Sequence, residues 1–168
     1  MLKRLSAVLF LLFCHVSPAW AWEVWKEQEP GYPDMVIAEV VGDLGNFLRL
    51  VCINQSIHLE ITLLGSSESL NDAFLSMQVD ENPPVRVAGF LESFPEAEAT
   101  VFFGLDRRDR PAPTTEELLY QMLEGYHLYL LDLETHEPLE HWSMAGSIKA
   151  VRLLGERCSD KPSQAQSA

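Results

Sequence analysis

The run Ile57-His58-Leu59-Glu60-Ile61-Thr62-Leu63 alternates apolar and polar side chains over its whole length. A strand has a side-chain period of two, so this segment lays an apolar row and a polar row on opposite faces of a sheet, whereas a helix would scatter the same residues around its circumference. Just upstream, Phe47 to Ile53 places Leu48, Leu50 and Cys52 on one face, and Asn54-Gln55-Ser56 is short enough for a tight connection. The two strands predict a hairpin with one apolar face, which has to be buried under a second layer.

The rest of the chain supplies that layer. Met35 to Val41 is β-branched and leads through a turn at Gly42 to Asn46 into the hairpin. Phe74 to Val79, the turn Asp80-Glu81-Asn82-Pro83-Pro84, and Val85 to Leu91 read as a second hairpin, followed by a short aromatic strand from Ala99 to Phe103. The charged segment Asp106 to Arg110, with Pro111 and Pro113, ends that strand. Thr114-Thr115-Glu116-Glu117 reads as a capping box ahead of Leu118, Leu119, Met122 and Leu123, so a short helix is expected up to Gly125. Tyr126 to Leu133 and Leu139 to Met144 return to strand composition. From about Ala145 to Arg157, Ile148, Val151 and Leu154 recur at helical spacing with Cys158 one turn on. Seven or eight short strands with helices confined to the C-terminal half predict a mainly β fold: an antiparallel β-sandwich with a short helix and a C-terminal helix packed on it.

The first 21 residues read as a secretory signal peptide. Lys3 and Arg4 precede the apolar run Leu5 to Phe13, and Ala19-Trp20-Ala21 is an A-x-A cleavage site. That run is well short of the ~20 residues that span a bilayer, so no integral membrane segment is expected after cleavage. Residues 22–158 then form one β-rich domain, and 159–168, polar and ending in Ser and Gln, form a disordered tail. Cys14 leaves with the signal. The two remaining cysteines, Cys52 and Cys158, are an even pair in an exported chain and are expected to form a disulfide.

Charge narrows the range of partners. Loss of Lys3 and Arg4 leaves ten Lys and Arg against 25 Asp and Glu, a formal charge of −15. Such a chain is repelled by nucleic acid and by anionic membrane surfaces. Motifs for chemistry are missing: there is no nucleophile elbow, phosphate-binding glycine loop or calcium-loop spacing. His136-Glu137-Pro138-Leu139-Glu140-His141 superficially resembles a zinc-protease helix, but its histidines are five apart and Pro138 interrupts any helix between them. His58 and His127 read as strand residues satisfied by neighbours or solvent. No catalytic residue, metal or cofactor is therefore assigned. Two polar places stand out as possible interaction points. Asp80 and Glu81 form a tight acidic corner, and Arg107, Arg108 and Arg110 form the one basic concentration, interleaved by Asp106 and Asp109.

The order of features carries a family likeness. Trp22 lies near the mature start, Leu48-Arg49-Leu50-Val51-Cys52 forms a strand, Met77-Gln78-Val79-Asp80 precedes two prolines, and Ala145 to Cys158 is a closing helix ending in cysteine. This resembles the periplasmic VasI/TagO-like proteins associated with type VI secretion, with Gln78 standing where the family pattern has arginine. The resemblance implies a periplasmic accessory role. The function expected is that of a non-catalytic exported protein, periplasmic or extracellular, which holds another envelope protein; the resemblance implies an association with a secretion system. The alternative is an inhibitor of a cationic cell-wall hydrolase, or a small enzyme acting on the cell wall.

Overall fold

A computed structural model describes residues 22–28, 34–65, 74–105 and 110–159. The signal-peptide reading of 1–21, the charged residues Arg107 and Arg108, and the tail from 160 lie outside the described residues. Ser159, assigned from sequence to the tail, closes the C-terminal helix instead.

The chain is mainly β, with ten strands in two antiparallel sheets among the described residues. The larger sheet has the order β1 (Glu23–Glu27), β2 (Met35–Val41), β3 (Phe47–Ile53), β4 (Ser56–Leu64), β8 (Ala99–Gly104) and β7 (Phe90–Phe94). The smaller has the order β10 (Pro138–Ser143), β9 (His127–Leu131), β5 (Phe74–Val79) and β6 (Val85–Ala88). In the central hairpin Leu50 pairs with Leu59 and Leu48 with Ile61, and all four are fully buried. The alternating pattern thus directs one face inward. On the smaller sheet Leu75, Met77, Val79, Leu128, Leu130 and Trp142 do the same, and the two inward faces feed one core. Each such buried side chain contributes about 1.5–3 kcal/mol.

Two helices join that core. α1 (Pro113–Glu124) packs on β5 and β6 through Leu118 and Met122, and α2 (Ser147–Ser159) packs on β1, β2 and β3 through Ala150 and Leu154. Cys158, near the end of α2, is bonded to Cys52 on β3, with Cα atoms 5.8 Å apart. None of the helices among the described residues is long and apolar enough to cross a membrane.

The structure departs from the sequence reading in three further places. Val85 to Leu91, read as one strand, is cut at Gly89 into β6 and β7, which belong to different sheets. A Cβ at Gly89 would collide with the Phe103 carbonyl oxygen and the Phe102 ring, so only glycine lets the chain change sheets there. The expected capping box is replaced by Pro113 in the first turn, with Ala112 at the cap and no side-chain cap. Proline at the first helical position lacks an N–H that a helix start would leave unpaired, and its φ is preset for the first turn. Finally, Glu23–Glu27, for which the sequence predicts no strand, forms edge strand β1, paired with β2 from Glu23↔Glu39 to Glu27↔Met35.

Candidate functional site

The two sheets meet where the β2–β3 turn docks on β10. A bulge between Pro138 and Glu140 shifts the β9–β10 register, so that Glu140 rather than Leu139 pairs with Leu130 and turns inward. Glu140 is only 3 % exposed. Its carboxylate accepts hydrogen bonds from Asn46 Nδ2 at 2.6 Å, from the Leu44 N–H at 3.2 Å and from the His141 N–H at 2.8 Å. Asn46 uses its own oxygen to accept from the Leu64 N–H, and its carbonyl accepts from Trp142 Nε1. A Cβ at Gly42 would come within 2.8 Å of the Glu140 carboxyl group and of Trp142 Nε1, so this turn can lie against β10 only with glycine there.

On the outward side of the same strands lies a chain of titratable groups. Asp43 Oδ2 is 2.7 Å from His141 Nδ1, and His141 Nε2 is 2.8 Å from His127 Nδ1. A carboxylate only accepts, so His141 donates its Nδ1–H to Asp43 and presents an Nε2 lone pair to the Nδ1–H of His127. Tyr129, opposite His141 in the register, stacks on that imidazole with centroids 5.1 Å apart. Asp80 secures the far end: its two carboxylate oxygens accept the N–H groups of Tyr126 and His127, each at 2.9 Å. Among the described residues no three His, Cys, Asp or Glu side chains converge on one point.

The outer face of the six-stranded sheet has a different character. Register places Glu39, Arg49, Glu60, Phe103 and Phe90 in one row, Val41, Phe47, Thr62, Val101 and Glu92 in the next, and Leu64, Ala99 and Phe94 in the last. Toward the opposite end the face is covered: Ile37, Val51 and His58 are buried. The last rows are open, with Leu64 52 %, Phe90 44 % and Phe94 40 % exposed. Phe90 stacks on Phe103 at 5.2 Å, which fixes both rings on this face. Beside them, β7 is the last strand of the sheet, and its outer backbone edge has no partner among the described residues. Arg49 is paired with Glu39 and lies over the Phe47 ring at 5.6 Å. Burial raises the pKa of Glu60, with Arg49 opposing the shift and Glu27 adding to it. Burial also lowers the pKa of His58, whose Nδ1 has no hydrogen-bond partner among the described residues.

The residues singled out from sequence fall in separate places. Asp80 has φ 49° in the β5–β6 turn and holds the start of β9 through its carboxylate, while Glu81 beside it is exposed. Arg110 is exposed just before α1. Sequence reasoning missed the buried Glu140 network, the Asp43–His141–His127 chain and the open apolar rows. Compared with known proteins, the chain matches no family model, no curated protein and no solved structure.

Proposed function

We propose that this chain is a non-catalytic exported accessory protein that binds another envelope protein through the outer face of its six-stranded sheet and the open edge of β7. The observation that carries the reading is the adjacency of Leu64, Phe94 and Phe90, all exposed, to a strand edge that has no partner strand among the described residues. Contiguous exposed apolar surface on a folded domain marks an interaction site, and a free edge is a template for an added strand.

The partner segment this surface fits is extended, with apolar side chains flanked by Lys or Arg. Glu39, Glu60 and Glu92 interleave the apolar rows, and Arg49, the cation of these rows, is already paired with Glu39. The net charge of the chain has the same sign, so basic partners are steered toward it. Export is supported by the signal-like first 21 residues and by the Cys52–Cys158 bond, which persists in oxidising compartments. The periplasm and a link to a secretion system rest on the resemblance to the VasI/TagO-like proteins.

The test is affinity purification of the protein from chemically cross-linked envelopes, with mass spectrometry of what accompanies it, alongside a Phe90→Asp/Phe94→Asp variant. The reading expects one envelope protein in stoichiometric amount with the wild type and at least a tenfold loss with the variant. Equal recovery by both would refute it.

A further inference from the structure

We infer that His127 and His141 form a binding site for a tetragonal divalent transition-metal ion, Cu²⁺ above all, with Asp43 as the positioning residue behind His141. The inference rests on three geometric observations and is independent of the partner-binding surface.

The first is the separation of the two ring nitrogens. His141 Nε2 and His127 Nδ1 are 2.8 Å apart. Two imidazoles in adjacent corners of a square-planar ion, each about 2.0 Å from the metal, hold their nitrogens roughly 2.8 Å apart, whereas a tetrahedral ion at similar bond length needs about 3.3 Å. In the structure that gap is spanned by the His127–His141 hydrogen bond; it equals the bite of a tetragonal ion, which would take the place of the bridging proton once both rings turn their nitrogens toward it, whereas a tetrahedral ion would also force the pair apart.

The second is Asp43. Its carboxylate, 2.7 Å from His141 Nδ1, fixes the tautomer that leaves Nε2 as the lone-pair nitrogen and holds the ring in place. Carboxylate–imidazole–metal arrays are built in this way. The third is the rigidity of the setting. Both histidines sit on paired strands of one hairpin, His141 stacks on Tyr129, its N–H is held by buried Glu140, and the backbone of His127 is held by Asp80. Two ligands on facing strands lose little freedom on binding.

Binding is balanced in protons. The Nδ1–H of His127 that now bridges to His141 leaves Nδ1 and is taken up at His127 Nε2, so both imidazoles coordinate as neutral ligands and no net proton is released. No third His, Cys, Asp or Glu among the described residues joins them, so water fills the remaining equatorial positions. The order of divalent affinities on nitrogen ligands then places Cu²⁺ above Ni²⁺ and Zn²⁺.

The experiment uses the tag-free, disulfide-bonded protein titrated with Cu²⁺ alone at pH 7.5, read by calorimetry and by electron paramagnetic resonance. The expected result is one saturable ion per chain, with an axial spectrum showing coupling to two nitrogens. His127→Gln, which leaves the buried Glu140 network untouched, should weaken binding at least tenfold and remove one nitrogen from the spectrum. Asp43→Asn should weaken it about 10–100-fold while keeping both nitrogens, a split that a merely structural role would not produce. Absence of saturable binding would overturn the inference. So would binding that survives in His127→Gln and His141→Gln alike, because the ion would then sit elsewhere on the acidic surface.

Discussion

Glu140 Oε2 lies 2.6 Å from Asn46 Nδ2, and through that bond an edge strand of the smaller sheet is tied to the β2–β3 turn of the larger one. The same carboxylate, itself 3 % exposed, also satisfies two part-buried backbone donors, so it closes three hydrogen bonds. Glu140→Ala should therefore destabilise the protein by about 2–4 kcal/mol in urea unfolding, because buried donors are left without acceptors. Glu140→Gln keeps the volume and one acceptor oxygen, and its loss should be smaller. Equal stability of wild type and Glu140→Ala would remove this bond as the tie between the sheets.

The passage of the chain from one sheet to the other depends on Gly89. Gly89→Ala drives a Cβ into the Phe103 carbonyl and the Phe102 ring, neither of which is the far end of a flexible side chain. The expected cost is about 3 kcal/mol, measurable as a lowered denaturant midpoint. Gly155, whose added Cβ meets nothing within 4 Å, is the control, and Gly155→Ala should be neutral or stabilising.

The Cys52–Cys158 bond closes a loop of 106 positions and anchors α2 on β3. Replacing both cysteines by alanine should cost about 2–5 kcal/mol. Hydrogen exchange should rise first in α2, the element the bond tethers. Loss spread evenly over both sheets, with α2 no more affected than β5, would contradict that assignment.

Glu60 provides a pH test. Burial holds its carboxyl above the usual value of 4.5, so the folded protein keeps that proton more tightly than the unfolded chain. The stability linked to this proton is complete below the unfolded pKa and is lost as pH rises through the raised folded value. Glu60→Gln should accordingly melt higher than wild type at pH 7, and the difference should vanish near pH 4. A constant difference across that range would show that the carboxyl does not titrate as the fold requires.

Much of the fold was legible because the deciding signal was local. The alternation across Leu59, Ile61 and Leu63 is read directly by burial, and the helical spacing of Leu154 and Cys158 points to the face that meets β3. The break at Gly89 was not legible, since Val85 to Leu91 has unbroken strand composition and the obstacle, Phe103, arrives from a later strand. Glu140 was hidden by a bulge that turns an apparently outward carboxylate into the core. The Asp43–His141–His127 chain comes from a turn and two strands, with 98 positions separating Asp43 from His141.

The central claim, that the open rows beside β7 receive a partner, is tested most directly by a photo-reactive amino acid placed at Phe94 and, as a control, at Tyr120, which is at least as exposed but lies on α1. Irradiation of intact envelopes should give one discrete adduct with a second envelope protein from position 94 and none from position 120. Adducts from position 120 alone, or the same adducts from both positions, would contradict the account and move the interface away from β7.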